Sequence, residues 1–130
     1  ILYVTGVKWL VERPRPVTSV GSGLLPGDPS FPSGHTAAAV IVSVMMILTV
    51  RNFAHKCFPD GEDDGRANRR RVFLRRAIIG AVALVVAVAC SRLLLGLHYP
   101  TDVIISATIC PLISYAVWCV WNAYENAAER

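Results

Sequence analysis

Two histidines are the side chains in this sequence best suited to nucleophilic or acid–base chemistry. His98 lies four residues before Asp102, and Pro100 between them is favoured at the first position of a helix. A carboxylate in the first turn of that helix is stabilised by the helix dipole and can accept a hydrogen bond from one imidazole nitrogen. The other nitrogen then keeps a free lone pair, as in the base-and-orienter arrangement that activates nucleophiles. The alternative interpretation of Asp102 is a plain helix cap.

The second histidine, His35, follows Ser33 and Gly34 at the predicted start of an apolar helix. Ser33 is a favourable N-cap, and a helix N-terminus offers an anion free backbone N–H groups and a partial positive charge. Gly34 lets an anion approach that backbone closely. A lone histidine is more often a structural polar residue than a catalyst. Two of them, each near Ser, Asp or Arg, favour a shared site.

Three cations are predicted to lie near these histidines, namely Lys8, Arg15 and Arg92. Arginine offers phosphate oxygens a planar fork of donors, and lysine offers a compact point charge. An arginine near a membrane surface is often only an interfacial anchor, and Arg13 is interpreted as structural or interfacial. Arg92 differs because it follows an apolar run from Ala77, where an ionisable group is costly and indicates function. Together these residues favour a dianion such as phosphate.

The elements that position these residues are predicted to be apolar helices covering residues 36–50, 77–97 and 103–121. The last run has about 19 residues and would extend roughly 28 Å, close to the thickness of a bilayer core. None of the runs has a clean polar stripe, and a chain of 130 residues is too short to bury three such helices in a soluble core. The sequence therefore predicts an all-α transmembrane helical bundle, with a soluble helical bundle as the alternative.

Composition and charge agree with a membrane protein. Hydrophobic residues make up 54% of the chain and charged residues 17%, respectively above and below the usual shares in a soluble domain. Eight of the thirteen Lys and Arg residues lie within residues 51–76, which the positive-inside rule predicts to be a cytoplasmic loop. Nucleic-acid binding would also fit such a cluster, but the topology explains it without that partner. The residues before 36 and around 96–102 then face the outside or a lumen.

The remaining features concern cysteines and chain organisation. Four cysteines occur without CxxC or CxxH spacing, which argues against a zinc site or a disulfide framework. Residues 1–7 look like the end of a further helix. We therefore expect residues 1–130 to be the catalytic part of one membrane domain whose upstream helices are missing.

Three blocks of residues resemble the motifs of the phosphatidic acid phosphatase type 2 / vanadium haloperoxidase superfamily. The patterns are K-x6-R-P, P-S-G-H and S-R-x5-H-x3-D, and they occur here at Lys8 with Arg15–Pro16, at residues 32–35, and at Ser91–Arg92 with His98 and Asp102. Three blocks in order with the required internal spacing make a specific match, which covers residues 8–102.

The resemblance implies a lipid phosphatase that needs no metal or other cofactor. His98 would attack phosphorus to form a phosphohistidine, Asp102 would orient His98, and His35 would protonate the leaving oxygen and then activate water. The residues implied to hold the phosphate are Lys8, Arg15, Ser33, Gly34 and Arg92, and Ser91, which matches the motif, is a further possible site residue. The usual six-helix core of the family would be only partly present.

The implied substrate is a membrane lipid phosphate monoester or diphosphate, such as phosphatidate, phosphatidylglycerol phosphate or polyprenyl diphosphate. The active site would lie on the extracytoplasmic or lumenal face of a multi-pass protein. Two alternatives are a vanadate-dependent haloperoxidase-like enzyme and a catalytically silent membrane lipid-binding protein. The sequence departs from many relatives at residues 103–106, where a small residue or Gly is common, and in the length of the 51–76 segment.

Overall fold

The computed structural model describes residues 2–16, 27–57 and 64–128 of the chain. These ranges contain four helices and no strand: α1 (Leu2–Val11), α2 (Gly34–Cys57), α3 (Asp64–Leu94) and α4 (Pro100–Ala128). The predicted all-α fold class is confirmed.

Three of the helices are long and apolar enough to cross a membrane, namely α2, α4 and residues 65–94 of α3. With its 24 residues, α2 extends about 36 Å, which exceeds the roughly 30 Å thickness of a hydrocarbon core. The runs predicted at 36–50 and 103–121 therefore lie inside longer helices, whereas the run predicted at 77–97 extends three residues past the end of α3 at Leu94. The predicted transmembrane helical bundle is confirmed as the fold class.

The segment 51–76 is not the long loop that its composition suggested. Helix α2 continues to Cys57 and α3 begins at Asp64, so only residues 58–63, which lie outside the described residues, separate them. Arginine and alanine are both good helix formers, so a polar, Arg-rich composition does not distinguish a loop from an extended helix. The cytoplasmic location of the segment stays a prediction.

Helix α2 packs along both α3 and α4 and also touches α1. Val4, Ala37, Val40 and Cys110 form the buried cluster that joins α1, α2 and α4. Ser43 adds a hydrogen bond from α2 to the Ala81 carbonyl of α3, with an O–O distance of 3.3 Å. Small residues in this cluster let the helices approach closely, as is typical of helix contacts in membranes.

Much of the apolar surface of α3 and α4 is exposed, including Val82 on α3 and Leu112 and Val120 on α4. Exposed apolar area of this extent marks a surface that contacts lipid or other protein. The bundle therefore exposes an apolar surface of the kind expected along membrane-crossing helices.

The turn between α3 and α4 is closed by hydrogen bonds at both helix ends. Gly96 has a φ of 63°, and the Leu97 N–H donates to the Arg92 carbonyl at 3.1 Å. This left-handed glycine and the hydrogen bond across it form a Schellman cap, which ends α3 abruptly. Because α4 then starts at Pro100, His98 is held in a short connection between two helix ends.

Candidate functional site

A cavity of about 360 Å³ lies where α1, the start of α2 and the α3–α4 turn meet, and these elements bring residues from distant parts of the sequence together. Its lining includes five of the residues predicted from the sequence, namely Lys8, Arg15, Gly34, His35 and His98, together with Asp28 and Ala38. The cavity thus combines two cations, two imidazoles and a helix N-terminus, which is a suitable environment for an anion.

Asp28 is a member of this cavity that motif spacing did not reveal. Its carboxylate bridges the two cations: Oδ1 accepts from Arg15 Nη2 at 2.6 Å and Oδ2 accepts from Lys8 Nζ. Burial alone would raise the pKa of Asp28, but the hydrogen bonds and charges of Lys8 and Arg15 outweigh it and lower the pKa to about 2. Asp28 is therefore an anion at any physiological pH.

His98 is buried, with 5% of its surface exposed, and lies beside Arg15. Arg15 Nη1 donates to the Leu97 carbonyl at 2.8 Å and is 3.5 Å from His98 Nε2. Burial lowers the pKa of His98, and the Arg15 charge lowers it further. The lowered pKa favours the neutral imidazole, in which one ring nitrogen has a lone pair; on Nε2 that lone pair faces the Arg15 guanidinium, which can only donate.

Asp102 is fully buried next to His98 and also caps α4. Its Oδ2 accepts the Tyr99 backbone N–H at 2.9 Å, so the helix-cap interpretation is part of its role. The same Oδ2 is 3.5 Å from His98 Nδ1, which is buried and has no hydrogen-bond partner among the described residues. The hydrogen bond that we predicted between the two side chains is therefore not made in this arrangement, although the groups are adjacent.

Arg13 is hydrogen-bonded to residues of the site and is not a free side chain at its surface. Its Nη1 donates to Asp102 Oδ1 at 2.9 Å and to Thr101 Oγ1 at 2.6 Å. The guanidinium carbon is 4.0 Å from the centroid of the Tyr99 ring, within the range of a cation–π contact. The one signal in the sequence was that Arg13–Pro14 duplicates Arg15–Pro16 two residues earlier.

The start of α2 has the capping geometry predicted for Ser33. The hydroxyl oxygen of Ser33 accepts the Thr36 backbone N–H at 3.4 Å and is 3.0 Å from Thr36 Oγ1. Ser33 is completely buried and lies behind the cavity wall rather than in it. Gly34 and His35, the next two residues, do line the cavity, and His35 is exposed at its edge.

The backbone of Ser33 also ties α2 to α4. The Ser33 N–H donates to the Asp102 carbonyl at 3.2 Å, and the Ser106 hydroxyl donates to the Ser33 carbonyl at 3.0 Å. These bonds join two sequence blocks that lie about seventy residues apart in the sequence. The relative position of His35 and His98 therefore depends on them.

Like Ser33 and Asp102, the predicted residues Arg92 and Ser91 do not line the cavity. Arg92 Nη2 donates to Ser91 Oγ at 3.1 Å, while its Nε is buried without a hydrogen-bond partner among the described residues. An unpaired buried N–H of an arginine is costly. Arg92 thus has donor capacity left for an anion, but its guanidinium is directed at Ser91.

Among the described residues no group of three or more His, Cys, Asp or Glu is arranged to hold a metal ion. The positive charge of the cavity comes instead from Lys8, Arg15 and the N-terminus of α2. Fixed cations of this kind can stabilise the charge that develops on a phosphoryl group during its transfer.

In a comparison with protein-family models, the model of the PAP2 superfamily matches residues 1–125 of the chain. Comparisons with curated proteins and with solved structures found no significant match.

Proposed function

The chain belongs to the PAP2 superfamily, and on that premise we propose that it is an integral-membrane phosphatase acting on a lipid phosphate monoester or diphosphate. Members of this superfamily are generally phosphatases. The observation that supports the proposal most directly is that one cavity is lined by Lys8, Arg15, His35 and His98. These side chains can bind a phosphoryl group and transfer it to water.

The reaction proceeds in two displacements. In the first, the lone pair of His98 Nε2 forms a bond to phosphorus while the bond from phosphorus to the lipid oxygen breaks, and His35 gives that oxygen a proton. In the second, His35 takes a proton from water, whose oxygen attacks the phosphohistidine and releases inorganic phosphate and neutral His98. The position of Nε2 beside Arg15, with Nδ1 3.5 Å from Asp102 Oδ2, supports Nε2 as the attacking atom.

The cations bind the phosphate and stabilise the five-coordinate transition state. Lys8 and Arg15 line the cavity already, and the first amide groups of α2, at Gly34, add N–H donors. Arg92 joins them by turning its guanidinium from Ser91 towards the bound anion, which also gives its buried Nε a partner. Ser33 supports the site by capping α2.

The position of the cavity supports a lipid substrate. It lies at the ends of helices that are long and apolar enough to cross a membrane, so the tail of a lipid can stay in the bilayer while its phosphate enters the site. The Arg-rich start of α3 at the opposite end of the bundle supports an extracytoplasmic or lumenal location of the cavity.

The test is phosphate release from a panel of lipid phosphates and diphosphates by the full-length protein in detergent. His98→Ala should lower kcat by at least ~10²–10⁴, the range for a positioned proton-transfer group and a lower limit for a nucleophile. The matched control is His55→Ala, because His55 is exposed near the far end of α2 and should leave kcat unchanged.

Two outcomes would contradict the mechanism. Turnover of His98→Ala at the wild-type rate would exclude His98 as the nucleophile. Loss of wild-type activity in EDTA that Mg²⁺ restores would show that a metal takes part, whereas we expect activity to survive chelation.

A further inference from the structure

We propose that Asp28 is a built-in competitor of the phosphoryl group: it shares Lys8 and Arg15 with the substrate phosphate and thereby determines how tightly the site holds phosphate. The inference rests on the proposed function, because it concerns the same cavity. It assigns to Asp28 a role that the sequence motifs did not suggest.

The hydrogen bonds of the two cations carry the argument. Within the described residues, Lys8 and Arg15 donate five hydrogen bonds to oxygen atoms, and three of these go to Asp28. Two of the three end on the carboxylate oxygens and one, from Arg15 Nε, on the Asp28 backbone carbonyl at 3.1 Å. Each cation has an N–H donor beyond these bonds, but a phosphate that binds both cations competes with the carboxylate for their positive charge and for the donors now directed at it.

The exposure of the three side chains indicates which of them moves when phosphate binds. The side chains of Lys8 and Arg15 are 11% and 8% exposed, whereas that of Asp28 is 44% exposed. Water can therefore solvate the displaced carboxylate, while the cations remain fixed behind it. Asp28 also lies in residues 27–33, outside the helices, so its side chain can turn away without moving α1 or α2.

Competition with Asp28 is easier to detect in the binding of a free phosphate ion than in the binding of a lipid. Every phosphoryl anion meets the same electrostatic cost at Asp28, but a lipid gains additional binding energy from its tail. Inorganic phosphate has only its contacts with the cations. We therefore expect weak product inhibition in the wild-type protein and stronger inhibition once the carboxylate is neutralised.

Asp28→Asn is the direct test, made on the full-length protein in detergent with inorganic phosphate and orthovanadate as competing anions. Removing a unit charge a few Å from a binding ion changes its equilibrium by about one order of magnitude or more. The Ki for both anions should therefore fall at least ~10-fold. Asp28→Glu, which keeps the charge, should stay within ~3-fold of the wild type.

The matched control is Glu12→Gln, which removes one negative charge from a neighbouring cavity of about 380 Å³ that Glu12 and Asp28 both line. Among the described residues no ion pair joins Glu12 to Lys8 or Arg15, so both Ki values should change less than ~2-fold. An equal fall in Ki for Glu12→Gln and Asp28→Asn would overturn the proposal, since overall charge would then be responsible.

Thermal unfolding provides a second readout that does not require turnover. Asp28→Asn leaves two buried cations unpaired, so its midpoint should be lower than that of the wild type, and phosphate or vanadate should raise it by more than in the wild type. If Asp28→Asn binds phosphate more weakly, or cannot be purified even with vanadate present, Asp28 organises the cations instead of competing with the anion.

The outcomes also separate this inference from the proposed function. A wild-type protein that hydrolyses lipid phosphates, with no change in phosphate affinity in Asp28→Asn, would overturn the role of Asp28 alone. A wild-type protein that neither hydrolyses them nor binds phosphate would overturn both.

Discussion

At the residue scale, His98 is the side chain whose protonation most depends on its surroundings. Burial and the Arg15 charge both lower the pKa of His98, and the charge of Asp102, which raises it, has a smaller effect. Asp102 is itself paired with Arg13, so part of its charge is already compensated. The neutral imidazole needed for attack on phosphorus therefore persists below the ordinary pKa of histidine.

The lowered pKa of His98 predicts how kcat/KM changes at acidic pH. Because the pKa of His98 is lowered from about 6.5, kcat/KM should hold its plateau as pH falls towards 6.5 and decline only below it. The measurement is kcat/KM between pH 4 and 9 for two substrates whose phosphates have different pKa values. A decline that begins above pH 7 with both substrates would contradict the lowered pKa of His98. A decline whose midpoint differs between the two substrates would show that the substrate phosphate, and not His98, is the group that titrates.

Arg13 is predicted to be a positioning residue that acts through Asp102. Arg13→Gln removes a charge-assisted hydrogen bond to a fully buried carboxylate, so kcat should fall ~10–100-fold while KM changes little. The uncompensated charge of Asp102 should also raise the pKa of His98, which moves the acidic decline of kcat/KM to higher pH.

The control for Arg13 is Arg75→Gln, which removes an exposed arginine near the other end of the bundle and should change neither kcat nor the pH profile. Arg13→Lys, which restores the charge without the planar fork, should recover part of the rate. A lower rate for Arg13→Gln with an unmoved pH profile would indicate a structural role only.

At the scale of elements, the site is built from helix ends that are closed by local hydrogen bonds and joined to each other. The Schellman cap at Gly96 ends α3, Asp102 caps α4, and Ser33 caps α2. The hydrogen bond from the Ser106 hydroxyl to the Ser33 carbonyl then connects α4 to the start of α2. Catalysis should therefore respond to residues that touch no substrate.

Ser106→Ala tests this connection. Ser106 is completely buried, and its hydroxyl hydrogen is shared between the Ser33 carbonyl at 3.0 Å and the Asp102 carbonyl at 2.9 Å. Losing this hydrogen bond should cost ~1 kcal/mol of stability and lower kcat, because His35 is two residues beyond Ser33. Thermal unfolding and kcat in detergent measure both effects. The matched control is Thr108→Ala, because among the described residues the exposed hydroxyl of Thr108 bonds only to carbonyls of its own helix. Equal effects of the two substitutions would show that the connection does not matter.

At the scale of the whole molecule, the two ends of the bundle differ in charge and in chemistry. The cavity occupies the end where α2 starts and α3 finishes, and the Arg-rich part of α3 occupies the opposite end. Helix α2 connects the two ends over about 36 Å, more than a hydrocarbon core. If the bundle crosses a membrane, the two ends must lie on different sides of it.

Cysteine labelling tests this orientation. A variant in which Cys57 is the only cysteine should react with an impermeant thiol reagent only after the membrane is opened, because Cys57 ends α2 at the predicted cytoplasmic side. A second variant, with Glu12→Cys as its only cysteine, should react in sealed cells, since Glu12 is exposed beside the cavity. The reverse pattern would overturn the predicted topology.

The sequence by itself determined the fold class, most of the apolar residues of the three long helices, and five of the residues that line the cavity. Apolar runs of near-bilayer length cannot be buried in so short a chain, so composition and length were sufficient for the fold. The cap at Ser33 and the nearness of His98 to Asp102 were also predictable, because they depend on residues only three or four positions apart.

Only the tertiary structure decided how the charged groups pair. Asp28 is 20 positions from Lys8, and Arg13 is 89 positions from Asp102, so neither pairing leaves a spacing that a motif can record. The orientation of Arg92 towards Ser91 was likewise outside the reach of the sequence. Whether a given carboxylate meets a given cation depends on the packing of α1, α2 and α4 and on the path of the chain between them, and these arise from contacts spread over the whole bundle.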